Sequence, residues 1–466
     1  MLGQWSPLEW LALVEHELLL FAGAFFLIGA LDELAVDIAW AWLKLTGRAK
    51  TWRIERSEAR GSPLAGPAAV LIPTWQEEQV IEFTIAHALA AWPQEELRLY
   101  VGCYLNDTGT MEAVMRGSGG DPRVRLVVHG RHGPTTKADC LNRLYAALED
   151  DERRCGRQVR LVVLHDAEDM VDPAALALLD RAVADADFVQ LPVLPEAQRY
   201  SRWIGSHYCE EFAEAHGKAM VVRGALGAAL PAAGVGCGFY RPMLGRIAGQ
   251  TAGTGPFSVE SLTEDYELGL RIKAAGGSSS FLRVRGEDGQ LVATRACFPA
   301  RIDHAVRQKA RWVHGIALQG WDRLGWTGGF GEWWMRLRDR RGPMTALVLF
   351  TGYLVLVLAG LLWLAGGLGL VRPWQAEPLL LVLLAANFLA FAWRAAMRFA
   401  FTAREYGWAE GARAVGRIPV ANAIAIMAGR RALFAYVRTL CGARPQWDKT
   451  FHHAHPAAPA LLGQAA

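Results

Sequence analysis

The sequence predicts an α/β domain on a mostly parallel sheet, flanked by membrane helices. Three observations carry this. Short apolar runs alternate with helical patterns between residues 68 and 324, the pattern of strand–helix units with helices on both faces of a sheet. Long uncharged apolar runs lie outside that block. Of the 466 residues, 52% are hydrophobic, which is high for a chain wholly in water.

The membrane segments come first. Residues 344–370, "MTALVLFTGYLVLVLAGLLWLAGGLGL", carry no charge, and about 20 apolar residues suffice to cross a bilayer. A second run spans 378–401, clean from Leu379 to Trp393. The N-terminal run 18–31 is short, so its span borrows Leu11 to Leu13 and tolerates Glu15, His16 and Glu17. A cleaved signal would have a basic start. No Lys or Arg precedes Lys44, so an uncleaved anchor is expected.

Charge orients the chain. Lys44, Arg48, Lys50, Arg53 and Arg56 follow the first span, Arg336, Arg338, Arg340 and Arg341 precede the second, and Arg394, Arg398 and Arg404 close the third. The positive-inside rule puts all three clusters in the cytoplasm, with the 371–378 loop outside. Residues 1–49 are thus an anchor and interfacial helix, 50–340 a cytosolic domain, and 341–403 two transmembrane helices. Residues 404–466 are expected to be interfacial amphipathic helices and a cytosolic tail, with a fourth span as the alternative; Arg413 and Arg417 are read as membrane-facing charge. A net charge of +3 does not point to nucleic acid. The seven cysteines form no CxxC pair, which argues against zinc and disulfides and fits a reducing compartment.

Within the cytosolic block, strands are expected at 68–72, 97–105, 124–129, 159–164 and 188–191. Helices are expected at 77–91, 137–149, 173–186, 202–217, 264–275 and 304–324. Residues 57–67, "SEARGSPLAGP", have the composition of a linker. Ligands of such sheets bind at the carboxyl ends of strands, and polar clusters fall there: Glu77 after the first, Asp107 after the second, Asp166 and Glu168 after the fourth.

Each cluster has two readings. In "LVVLHDAEDMVDP" (161–173), Asp172 and Pro173 suit a helix start. Asp166, Glu168 and Asp169 are either a solvated turn or a site for Mg²⁺ or Mn²⁺, which take one or two carboxylates plus substrate phosphates. In "SVESLTEDYELGLRIKAAGG" (258–277), Ser261 and Glu264 fit a capping box and Gly276 a helix end; otherwise Asp265 is a general base at a helix start. In "RQKARWVHG" (307–315), Arg311 suits phosphate and Trp312 a sugar face; the alternative is an interfacial helix with snorkelling arginine. Lys137 sits at a helix start, where an anion binds, or is merely an exposed lysine. "GVGCGF" (234–239) is Gly-rich but lacks a dinucleotide-fold setting.

In order, Pro73-Thr74-Trp75-Gln76-Glu77, Asn106-Asp107, Asp166-Ala167-Glu168, Thr263-Glu264-Asp265 and Gln308-x-x-Arg311-Trp312 resemble the motifs of the family 2 membrane glycosyltransferases, over about residues 60–450. The resemblance implies a GT-A (Rossmann-like) fold, a nucleotide-sugar donor, a divalent cation (Mg²⁺ or Mn²⁺), a glycan acceptor and inversion. It implies that Thr74, Glu77 and Asp107 hold the nucleoside, Lys137 the diphosphate side, and Asp166 and Glu168 the metal. Asp265, beside Glu264, would take the acceptor proton. Gln308 and Arg311 would steady the leaving diphosphate, and Trp312 would stack under the acceptor.

Some members carry a C-terminal cyclic di-GMP-binding domain. The chain is expected to lack it, since it runs only a few residues past Trp447-Asp448-Lys449-Thr450. Two positions depart from the family: Glu168 stands where Asp is usual, and so does Asn106. The expected function is glycosyl transfer for exopolysaccharide at the inner membrane, with lipid around the helices and an outer-membrane or periplasmic export partner. The rival is a catalytically silent scaffold of such a system.

Overall fold

The computed structural model describes residues 6–251, 255–371, 377–443 and 455–458. The 447–450 motif and residues 372–376 of the expected outer loop lie outside the described residues. Seven strands make the main sheet: β1 (Ala68–Pro73), β2 (Leu97–Tyr104), β3 (Val124–His129), β4 (Leu161–Leu164), β5 (Phe188–Gln190), β6 (Cys237–Tyr240) and β7 (Ser279–Phe281). Their spatial order is β3-β2-β1-β4-β6-β5-β7. All pairings are parallel except those of β6, which runs antiparallel between β4 and β5. Seven helices position the functional rim or reach the membrane: α1 (Pro7–Leu45), α2 (Lys137–Cys155), α3 (Glu264–Ala274), α4 (Ile302–Trp312), α5 (Gly342–Gly367), α6 (Pro378–Tyr406) and α7 (Ile418–Leu440).

The sheet is buried on both faces, as parallel sheets are. Val70 and Ile72 of β1 pack with Ile81, Ile85, Leu176 and Leu179 on one side. Ala69 and Leu71 pack with Leu141, Leu144, Leu244 and Leu268 on the other. The alternation is the period of two along a strand.

The five expected strands are present, with ends shifted by up to two residues. Two strands of the main sheet were not expected, nor were several helices, Thr108–Ser118 among them. β6 starts within "GVGCGF" and ends at Tyr240, and β7 is only "SSF"; β6 is held between two flanking strands, and β7 pairs with β5 at the sheet edge. The helix Thr108–Ser118 is polar in composition and starts on Asp107 as its N-cap. The expected helix 304–324 is three pieces: α4, a π-helical stretch Val313–Gln319 and Gly320–Leu324.

The 57–67 stretch is not a loose linker. It begins in a helix, Arg56–Gly61, whose Arg56 pairs with Asp172 and Asp288 and whose Arg60 donates to the Ala90 and Ala91 carbonyls. Ion pairs at Arg56 and carbonyl hydrogen bonds at Arg60 outweigh its coil-like composition.

Among the described residues, four helices are long and apolar enough to cross a membrane: α1, α5, α6 and α7. The first three pack together, with Gly352 against Phe26 and Asn387 donating to the Gly23 carbonyl at 3.0 Å. α1 runs on beyond the expected span and carries Asp32, Glu33 and Asp37 to the α/β domain. Arg338 and Arg341 hold Asp32 and Glu33, and buried Lys218 holds Asp37. α7 is one helix of 23 residues; its Ala428 and Ala432 meet Ala310 of α4, and its Gly429 lies against Ala346 of α5. These small residues let α7 clamp α4 closely.

Arg417 does not face the membrane. Its guanidinium is fully buried, 2.7 Å from Glu210 and 2.5 Å from Glu410. A buried charge is kept only when its partners outweigh desolvation, and here two carboxylates do so. Arg417→Met should therefore cost about 3–5 kcal/mol, the range for breaking a buried pair, read as a fall in the thermal unfolding midpoint in detergent. An unchanged midpoint would return Arg417 to a membrane-facing role.

Candidate active site

The carboxyl ends of β1, β2 and β4 share one rim of the sheet. Because β6 is antiparallel, with Cys237 opposite Leu164, its entry loop Gly234–Gly236 reaches the same rim. α3 and α4 close the other side. Between them lies a cleft of about 500 Å³, lined among others by Lys137, Thr263, Glu264, Asp265, Arg311 and Trp312. Residues almost two hundred positions apart thus meet in one hollow.

Lys137 is its hub. Thr136 caps α2 by accepting from the Asp139 amide, which sets Lys137 on the first turn. Its Nζ lies 2.5 Å from Asp166 Oδ1 and 3.9 Å from Glu264 Oε1. Burial disfavours the ammonium, but Asp166, Glu264 and Asp265 outweigh that and hold its pKa above the usual lysine value. The acids feel the converse. Burial and the neighbouring Asp265 push Glu264 up to about 7, with Lys137 opposing. Asp265 is raised by burial, again against Lys137.

Glu264 and Asp265 open α3, where the helix dipole favours negative charge. The expected capping box is absent: α3 begins at Glu264 itself, too early for Glu264 to reach back. Ser261 instead accepts from the Thr263 amide. Gly276 follows the helix end with φ +81°, as expected.

In the turn after β4 the acids part company. Asp169 is buried and accepts from His165 Nδ1 at 2.8 Å and from the Asp166 amide at 3.0 Å, so it shapes the turn. Asp172 accepts from the Ala174 amide and pairs with Arg56; the helix after it starts at Ala175, two residues later than expected. Asp166 is half-buried and faces Lys137. Glu168 is half-buried, and its charge reaches Cys297. Among the described residues no three His, Cys, Asp or Glu side chains group as a metal site. Asp166 and Glu168 nonetheless fit a Mg²⁺ or Mn²⁺ ion completed by substrate phosphates: they are hard oxygen donors, and Asp166 already meets a cation, the Lys137 ammonium.

α4 brings Gln308 and Arg311 one turn apart. Gln308 Oε1, Arg311 Nε and Thr263 Oγ1 are buried without a hydrogen-bond partner among the described residues, an arrangement that costs about 1–3 kcal/mol per group and suits a polar ligand. Trp312 is held edge-on by Tyr208, Phe212 and Phe298. The π-helical stretch follows at once and puts Gly315 against Thr263, where a Cβ would come within 2.5 Å of its Oγ1.

The nucleoside candidates sit on the far rim. Thr74 is buried and its hydroxyl donates to the Gly102 carbonyl at 2.7 Å. The Glu77 amide donates to Thr110. Asp107 accepts from the Gln76 amide at 2.6 Å and from Thr110. All three build the wall; none lines the cleft around Lys137. Asn106 exchanges two bonds with Gly133, donating at 2.9 Å and accepting at 2.8 Å. An ionised Asp could not donate, so Asn at this position has a structural reason.

Three residues escaped sequence reasoning. Gly234 (φ +77°) lies under Asp265, whose Oδ2 occupies the space a Cβ would fill. Gly236 lies likewise under Thr294. Gln190, fully buried, accepts from the Ala233 amide and donates to the Val235 carbonyl, pinning this loop. "GVGCGF" was the visible signal.

Residues 65–315 match the family described as "Glycosyltransferase like family 2", and the chain belongs to that family. It is 32% identical over 449 residues to bacteriophage adsorption protein B of Escherichia coli (strain K12), covering 91% of this chain and 60% of that protein. The figures are the same for bacteriophage N4 adsorption protein B of Escherichia coli O157:H7. The chain thus spans about 60% of the length of these curated relatives. Among solved structures it is similar in fold to the mannosyltransferase PcManGT from Pyrobaculum calidifontis in complex with GDP-Man and Mn²⁺, with TM-score 0.51 and 17% identity over 92% of this chain and 99% of that one. The fold is GT-A.

Gly234→Ala should cost more than the ~1–2 kcal/mol of a left-handed backbone alone, because its Cβ also displaces Asp265. Gly289→Ala is the control: it has the same φ of +77° with nothing within 4 Å. Equal losses of thermal stability in the two variants would remove the Asp265 contact from the explanation.

Proposed function

We propose that the chain transfers a hexose, with inversion, from a nucleoside-diphosphate sugar to a glycan hydroxyl at the cytoplasmic face of the inner membrane, in exopolysaccharide synthesis. The observation that carries this is the convergence of Asp166, Glu264 and Asp265 on Lys137, with Arg311 and Trp312 across the same cleft. The basic clusters next to α1, α5 and α6 support the cytoplasmic placement of the domain.

Asp265 takes the proton of the acceptor hydroxyl as its oxygen bonds to the anomeric carbon. The bond from that carbon to the diphosphate breaks, and the electron pair leaves with the diphosphate. Arg311, with Gln308 one turn back, stabilises that charge as it develops. Trp312, fixed by its aromatic neighbours, offers its face to the acceptor ring. Lys137 keeps three carboxylates together in the absence of substrate and is the cation nearest the diphosphate side. Asp166 and Glu168 would hold Mg²⁺ or Mn²⁺, which supplies positive charge for the leaving group when bound. Thr74, Glu77 and Asp107 shape the nucleoside wall through the backbone groups they fix. Passage of the product outward is left to an export partner.

The test is nucleoside-diphosphate release by the purified protein across a panel of nucleotide sugars, with Mg²⁺, Mn²⁺ or EDTA. Release with at least one donor is expected, together with a fall of about 10²–10⁴ in Asp265→Asn, the usual size of a general-base contribution. Release unchanged in that variant would overturn the reading.

A pH profile gives a second check. The base must be ionised, and burial raises the Asp265 pKa above its ordinary value, so activity should rise with pH as that carboxyl ionises. Lys137→Met removes the charge that lowers both acids, so the rise should move to higher pH. Stability runs the other way. A carboxyl with a raised pKa adds stability below its ordinary value, and that contribution is lost as pH climbs through about 7. Glu264→Gln should therefore resist heat better than the parent above neutrality, and a profile identical to the parent's would contradict the assignment.

A further inference from the structure

A second cleft lies where the end of α1 meets the edge strand β7. It encloses about 890 Å³ and is lined by Lys44, Arg48, Lys50, Ser279, Ser280 and Arg283, among others. It shares no lining residue with the cleft around Lys137. Two lysines and two arginines make its wall strongly basic.

Arg283 is 6% exposed; its Nη2 donates to Glu405 at 2.8 Å, and its Nε is buried with no partner among the described residues. The same Glu405 oxygen also accepts from Arg285, at 2.5 Å, and the Arg285 Nε is likewise unpartnered. One carboxylate therefore serves two buried guanidiniums, with Arg404 next to it in sequence. Burial, with crowding by Arg285 and Arg404, pulls the Arg283 pKa down to about 10 despite Glu405. Lys44 gives two of its protons to the Ala49 carbonyl and Thr51.

Such a site is short of negative charge and rich in N–H donors. Phosphate oxygens answer both, being strong acceptors for arginine and lysine. The rim indicates where the phosphate comes from. Trp42, Leu45 and Trp52 are 61%, 86% and 61% exposed, at the end of a helix apolar enough to span a bilayer. Apolar rings beside basic side chains at a helix exit are the composition of a membrane–water boundary, where acidic headgroups concentrate.

We propose that this cleft binds the headgroup phosphate of an acidic membrane lipid and so seats the edge of the domain on the cytoplasmic leaflet. It is independent of sugar transfer.

The test uses the full chain in a neutral detergent with equal amounts of phosphatidylglycerol and phosphatidylcholine, counting retained lipids by native mass spectrometry. Selective retention of phosphatidylglycerol is expected. Arg48→Gln with Lys50→Gln, both outside the Glu405 pairs, should reduce it roughly tenfold or more, on the scale juxtamembrane cations contribute. Arg283→Gln should do the same, with thermal unfolding confirming that it folds. No preference for phosphatidylglycerol, or equal retention in parent and double variant, would overturn the proposal. A parallel arm offers inorganic phosphate alone. Protection against heat by millimolar phosphate, without lipid selectivity, would make the ligand a soluble phosphate and overturn the lipid source.

Discussion

The Lys137 ammonium is the constraint on which the cleft depends. Asp166 follows β4, Glu264 and Asp265 start α3, and burial penalises the charge on Glu264 and Asp265. Without a cation among them they would protonate or move apart, since like charges in low dielectric repel strongly. The rest of the rim depends on keeping Lys137 in place. Thr136 caps its helix, Asn106 fixes the loop before it through Gly133, and Asp169 with His165 stiffens the turn that presents Asp166. A bound cation and a diphosphate would join this charge balance, so a cluster poised by one lysine is also one that a substrate can rearrange.

A second set of charges joins the catalytic block to its helices. Asp32 and Glu33 of α1 meet Arg338 and Arg341, Asp37 meets Lys218, and Arg417 meets Glu210 and Glu410. Trp393 on α6 donates to Asp37 at 2.8 Å as well. Buried pairs of this kind add little net stability but fix geometry, since any other docking would strand a charge. α7 then clamps α4 through small residues, and α4 carries Gln308, Arg311 and Trp312. The helices therefore set the position of Gln308, Arg311 and Trp312 beside the cleft as well as packing against the domain.

Much of this was legible in order of sequence. Apolar runs gave the parallel strands, because a strand buried on both faces must be apolar throughout. The acids after β4 and at the start of α3 stood out along the chain, although each also had a structural reading as a turn or a helix cap. What stayed hidden was anything decided by a neighbour. β6 is four residues long and owes its place to two flanking strands. The linker composition of 57–67 gave no hint that Arg56 would find Asp172. Arg417 looked like membrane-facing charge because nothing local indicates that Glu210, across the fold, joins Glu410 around it.

The sequence by itself thus determined the class of domain, its membrane setting, and which residue types sit at the functional rim. These depend on periodicity, length and local charge, all written along the chain. Tertiary structure alone decided which of those acids share a cation, that Asp169 and Thr74 turn inward, and that a glycine loop supports Asp265. The physical reason is that burial and pairing belong to sets of residues brought together by the fold, and a chain read in order shows the members of such sets without showing that they meet.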